Sequence, residues 1–230
     1  MAATHSAETH DGLVAGHFED LQQQRESATL GMWLFLAQEV MFFGGIFAAY
    51  LVYRTYYPIS WEESSLHLNL WIGFVNTLFL LCSSLTMALA ARAAQIGNTR
   101  HLVGFLIGTI IFGSIFLGVK AYEYYDKWAS SLIPGIKWDG NQYWMSEGGN
   151  HELFFVLYFF ASGTHALHMV IGIGILAWLV WAAWRQGRFV KGDYLPVEFT
   201  GFYWHFVDIV WVFLFPLLYL IDRFVTVGGH

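Results

Sequence analysis

The residues that most restrict what this chain can do are the few acids and histidines inside its apolar runs. Tyr203-Trp204-His205-Phe206-Val207-Asp208-Ile209-Val210-Trp211 lies in the run Phe202 to Ile221, about 20 residues, the length that crosses a bilayer as a helix. His205 and Asp208 are three apart and so share one helix face. An ionisable group at membrane depth costs about 3 kcal/mol or more, so it faces protein or a water-filled cavity. The two are expected to meet each other and a neighbouring helix. Gly163-Thr164-His165-Ala166-Leu167-His168 repeats that spacing with two histidines. Glu39 stands alone in a third run with no cation within a turn, and is the strongest single candidate for a functional group. Glu123 closes another run, and Glu152 and Glu198 stand at helix entrances.

Three chemistries fit these residue types. Histidines on two helices can hold a haem, since iron needs two axial imidazoles. HxxH on one face cannot flank one porphyrin, but His165 or His168 together with His205 can, as in a membrane b-type cytochrome. A chain of Glu, His and Asp can pass protons, as in pumps and transporters; no repeat relates the two halves of the chain, which weighs against a transporter. The same residues can also serve as interhelical hydrogen bonds that fix packing. No CxxCH, GxSxG or HExxH occurs, which argues against a c-type haem and a hydrolase.

The elements that must position these groups are transmembrane helices. Charged residues make up 12% of the chain and apolar residues 57%, against about 25% charged in soluble domains. The expected fold is an all-α integral membrane protein, a bundle of five transmembrane helices. The spans fall at about 30–53, 68–91, 102–122, 153–184 and 202–221, by the length a bilayer demands. They divide the chain into a polar tail, residues 1–27, a transmembrane domain, 28–225, and a short C-terminal tail, 226–230. His17 to Ser27 can form a short surface helix. The irregularly spaced His5, His10 and His17 read as a solvated tail. Arg54 to Leu66 and Trp128 to Gly149 read as loops, the second ordered and extramembrane. Gly44, Gly45, Ala48 and Ala49 offer a small-residue face, and Gly104 and Gly108 have GxxxG spacing. Asn69, Asn76, Thr77, Ser83 and Ser84 can bond between helices, Lys120 can reach Glu123 as a helix-end pair, and Pro216 can kink its helix.

Cys82, the one cysteine, excludes a disulfide framework and a thiolate metal site. No basic cluster points to nucleic acid, and no basic segment leads into an apolar core as in a cleaved signal peptide. Arg25, Arg92, Arg100, Arg185, Arg188 and Lys191 fall on one side of the five spans, and Arg54, Lys127, Lys137 and Arg223 on the other. The positive-inside bias therefore places the N-terminus in the cytoplasm and the C-terminus outside.

Glu39-Val-Met-Phe-Phe-Gly-Gly-Ile-Phe-Ala-Ala-Tyr50, Gly163-Thr-His165-Ala-Leu-His168-Met-Val-Ile-Gly172 and Tyr203-Trp-His205-Phe-Val-Asp208-Ile-Val-Trp211, in that order along the chain, resemble subunit III of haem-copper oxidases. Glu123-Tyr124-Tyr125-Asp126 and Glu198 also fit that family. The resemblance spans Leu30 to Ile221 and implies the five-helix bacterial form of a non-redox accessory subunit in the cell membrane. On this reading the chain binds neither haem nor copper, which reside in partner subunits. It packs on catalytic subunit I, near subunit II and a small subunit IV, holds phospholipid, and supports proton uptake during oxygen reduction. The complex can join a larger respiratory assembly. Glu39 matches the family's carbodiimide-reactive carboxylate, although Gln38 stands where serine is usual. Glu123, His165, His168, Glu198, His205 and Asp208 are then a buried packing network. The electron donor, cytochrome c or a quinol, stays open.

Overall fold

A computed structural model describes residues 20–138, 150–186, 188–189 and 194–220. Six helices account for nearly all of these: α1 (Leu21–Tyr56), α2 (Pro58–Leu66), α3 (Leu70–Ile96), α4 (Thr99–Ala129), α5 (His151–Gln186) and α6 (Leu195–Tyr219). A two-residue hairpin, β1 (Leu132–Ile133) with β2 (Lys137–Trp138), follows α4. Five helices, all but α2, are long and apolar enough to cross a membrane. Each extends past its apolar run at one end or both, because helical hydrogen bonding does not stop where the hydrocarbon does.

Helix ends follow local chemistry. The Asn69 side chain accepts from the amides of Trp71 and Ile72 at 3.1 and 3.3 Å, satisfying two orphan donors at the start of α3. Gly97, at φ +84°, ends α3 in the left-handed conformation, and Asn98 caps α4 through His101 at 3.2 Å. The stretch read as a loop from Arg54 to Leu66 holds α2, with Pro58 in its first turn, where a missing N–H costs nothing.

The chain divides into two compact units, Met1–Gly44 and Gly45–His230. In the first, the described residues are helical from Leu21 onward, with Asp20 capping Gln23 at 2.6 Å. Leu21 to Ser27 are thus the opening turns of α1, not a separate surface helix. The three tail histidines, and the rest of that expected helix, lie outside the described residues.

In the second unit α3 packs on α4 and α6, and α5 closes the ring between α4 and α6. Neighbours run antiparallel: Ser83 faces Thr109 and Asn76 faces Phe116 across α3 and α4. The core is aromatic, with Trp204, Trp211, Tyr158, Phe116 and Phe154 fully buried. Trp204 is held most closely. A Cβ added at Gly172 would stand 2.8 Å from its ring, and one at Gly113 would stand 3.0 Å away. Its Nε1 donates to Ser83 at 2.9 Å.

Candidate functional site: polar groups within the bundle

The most heavily paired cluster lies between α4, α5 and α6. Lys120 is one helical turn before Glu123, and its Nζ stands 2.9 Å from Glu123 Oε2. Its other donors reach the Tyr158 and Tyr219 hydroxyls at 3.2 Å each, so all three ammonium hydrogens have acceptors. Tyr219 donates to Glu123 Oε1 at 2.6 Å. The rings of Trp211 and Tyr158 lie 5.0 and 5.1 Å from the ammonium, within cation–π range. α4 runs on to Ala129, so this is a pair inside the bundle and not at a helix end. Burial of both ions is tolerable because each has the other and tyrosine hydroxyls as hydrogen-bond partners.

One level along the bundle, His165 is fully buried between the rings of Trp211 and Phe116, 5.1 and 5.4 Å away. Among the described residues neither of its ring nitrogens has a hydrogen-bond partner. Asn76 donates to the Phe116 carbonyl at 3.4 Å, and Trp211 donates to Thr77 at 3.1 Å. His168, a turn beyond His165, is bonded through Nδ1 to its own helix at Thr164. Its carbonyl accepts from the Tyr203 hydroxyl at 2.9 Å.

His205 and Asp208 share a face of α6 as their spacing requires, but they do not pair. His205 Nδ1 lies 2.7 Å from Ser84 Oγ on α3. Ser84 also stands beside the Asp208 carboxylate, yet neither Asp208 oxygen reaches hydrogen-bond geometry with a described group, and the side chain is 4% exposed. Ser84 is therefore the centre of this group, and α3 the neighbouring helix. Glu198 lies outside it, accepting from Gln95 at 2.5 Å at the ends of α6 and α3.

The expected packing residues Glu123, His165, His168, Glu198, His205 and Asp208 lie in separate groups at different levels. Glu39, on the first unit's stretch of α1, is 8% exposed. At the far ends of the helices the sequence reading had no role for His151, which joins α5 to α2. Its Nε2 is 3.4 Å from Glu63 and its Nδ1 3.3 Å from Ser64. Lys127 donates to Asp126 and to the His67 carbonyl at 3.0 and 2.9 Å, and Glu152 accepts from the Gly135 amide at 2.9 Å. The i,i+3 spacing of Lys120 and Glu123 and the polar types of Asn76, Thr77, Ser83 and Ser84 on α3 were signals that sequence supplied; the contacts of His151, Lys127 and Glu152 had none.

Among the described residues no three His, Cys, Asp or Glu side chains are placed to hold a metal ion. The pairing a b-type haem needs finds little support here. His165 is enclosed by aromatic rings, His168 lies against Tyr203 with ring centroids 6.5 Å apart, and His205 turns to α3.

A family model described as cytochrome c oxidase subunit III matches residues 9–222. The cytochrome c oxidase subunit 3 of Corynebacterium diphtheriae is 33% identical over 201 residues, covering 84% of this chain and 88% of that protein. That of Thermostichus vulcanus is 31% identical over 195 residues, covering 85% and 88%. A heme-copper oxidase subunit I+III of Aeropyrum pernix is 29% identical over 215 residues, 90% of this chain but 24% of that longer protein.

Proposed function

The chain belongs to the cytochrome c oxidase subunit III family, and from that premise we propose that it is the non-redox accessory subunit of a haem-copper terminal oxidase. It is a multi-pass membrane protein and a subunit of an oxidoreductase complex. Its work there is to brace catalytic subunit I, with subunit II and a small subunit IV alongside, to hold phospholipid, and to sustain proton uptake through Glu39. Haem and copper reside in the partners. The observation that carries this reading is the family match from residue 9 to residue 222, which takes in every helix named above. The geometry supports it: Lys120 and Glu123 are saturated by one another and two tyrosines, as packing groups are. The bacterial cell membrane, with the N-terminus in the cytoplasm, and membership of a larger respiratory assembly belong to the same proposal.

The test is a tagged purification in mild detergent, with reduced-minus-oxidised spectra and iron and copper analysis before and after the partners are stripped. The expected result is colour and copper that leave with the partners and a colourless residual chain. A haem band that stays with the stripped chain and vanishes in His205→Ala makes the protein a cytochrome instead.

A further inference from the structure

Away from membrane depth, one buried histidine joins two elements. His151 is the first residue of α5, before the apolar run that opens at Leu153, and is 3% exposed. It stands against α2. The fully buried Ser64 lies 3.3 Å from its Nδ1, and Glu63 lies 3.4 Å from its Nε2. The Asn150 amide beside it donates to Ser60 Oγ at 3.1 Å. The start of α5 is thus fastened to successive turns of α2. The remaining holds on α2 do not titrate near neutral pH. Trp61 is fully buried against the rings of Tyr50 and Phe154, and Lys127 of α4 donates to the His67 carbonyl just past the end of α2.

The geometry suits a neutral imidazole. Its Nδ1 accepts from the Ser64 hydroxyl, and its Nε2–H faces the Glu63 carboxylate. That second contact is longer than the charge-assisted bond of about 2.7–2.9 Å that an imidazolium makes with a carboxylate. A proton on Nδ1 would set an N–H against the Ser64 hydroxyl hydrogen and place a cation where water does not reach. Burial pushes the imidazole below its ordinary 6.5, and Glu63 and the Ser60 carbonyl oppose this only in part. The other titratable groups nearby, among the described residues, do not offset it. His67 adds positive charge when protonated. Glu152, next in the chain, is turned to the Gly135 amide, and Lys127 is engaged by Asp126 and the His67 carbonyl.

We propose that His151 is a pH-sensitive latch between α2 and α5, closed while its imidazole is neutral and released in acid. The sign follows from linkage. An unfastened His151 takes up a proton more readily than a fastened one, so acid favours the open form, from the ordinary value of 6.5 downward. Because α2 follows α1, the latch reads the pH of the outer side on the orientation proposed above.

The experiment is hydrogen–deuterium exchange of the α2 amides, Pro58–Leu66, in the purified complex near neutral pH and at about pH 5, with rates corrected for the intrinsic effect of pH. The expected result is exchange at least about fivefold faster in acid, as local opening of α2 requires. His151→Gln, which keeps a hydrogen-bonding side chain but cannot be charged, should hold the two conditions within about twofold. Glu63→Gln, which removes the opposing carboxylate, should widen the response beyond that of the wild type. No acid response in the wild type, an equal response in His151→Gln, or a response in Glu63→Gln no wider than the wild type's overturns the latch. Should His151→Gln fail to assemble, the wild type and Glu63→Gln still decide it. In detergent none of these outcomes depends on the orientation of the chain or on the oxidase assignment.

Discussion

At the scale of single residues, Lys120 shows how far sequence reasoning reaches. The i,i+3 spacing announces the pair with Glu123, and the pair is there at 2.9 Å. Its depth is not announced, because Tyr158 and Tyr219 lie 38 and 99 residues further along and only the helix ring brings them in. That depth sets the consequence of losing one partner. Glu123→Gln leaves the ammonium buried without its counter-charge and is expected to destabilise the subunit by about 3–5 kcal/mol, whereas Lys120→Met combined with Glu123→Leu should fall much closer to wild type. Thermal release of the subunit from the purified complex separates the two. Equal losses for the single and double variants would show that the shape of the cluster, and not its charge, matters. Glu39 calls for a different readout, since its proposed part is in proton uptake. Glu39→Gln is expected to leave the haem spectrum of the complex intact and to shorten its catalytic lifetime under continuous turnover. Loss of haem absorbance in that variant would point to assembly.

At the scale of helices, the sequence marks where each span lies better than where it touches a neighbour. Hydrophobic runs report the membrane, so all five spans were legible. α2 was not, because its nine residues are mixed in polarity and Pro58 read as a loop signal when it opens a helix. The glycines that admit large side chains within this chain were not legible for a related reason: motif spacing is local, whereas contact depends on which large side chain arrives from elsewhere. A Cβ at Gly44, Gly45 or Gly104 meets nothing within 4 Å, and at Gly108 only Thr86 at 3.6 Å. The close approaches are at Gly113 and Gly172, which admit Trp204, and at Gly73, where an added Cβ would stand 2.8 Å from the Phe215 ring. Trp204 cannot yield easily while its indole is bonded to Ser83. Gly172→Ala is therefore expected to cost about 1–3 kcal/mol through overpacking. Gly174→Ala, two residues on with open space around it, should be neutral or slightly stabilising through helix propensity. Melting temperatures of the two variants in one detergent make the comparison, and a larger loss for Gly174→Ala would mean that Trp204 is not the constraint.

At the scale of the whole chain, five crossings by the five candidate spans are expected to put the two ends on opposite sides of the membrane, and the proposal under test is which end faces the cytoplasm. By the order of the spans in the sequence, Arg25, Arg92, Arg100, Arg185, Arg188 and Lys191 are expected on one side and Arg54, Lys127, Lys137 and Arg223 on the other. The fold sharpens the difference in one respect. Lys127 is 5% exposed and tied to Asp126 and the His67 carbonyl, so it presents little free charge to a membrane surface. The first side is also one structural end of the second unit, since Gln95 beside the α3–α4 turn reaches Glu198 at the start of α6. On the orientation proposed above, retention of Lys and Arg in the cytoplasm is expected to direct the N-terminus inward and the end of α6 outward. Alkaline phosphatase fused after His230 is expected to be active, and green fluorescent protein fused at the same place dark, because each reports the side on which it folds. With both tags as expected, Arg92→Glu together with Arg100→Glu becomes the informative variant. If the basic α3–α4 turn sets the orientation, removing its charge should shift part of the population to the opposite topology; no shift would place the determinant elsewhere in the chain.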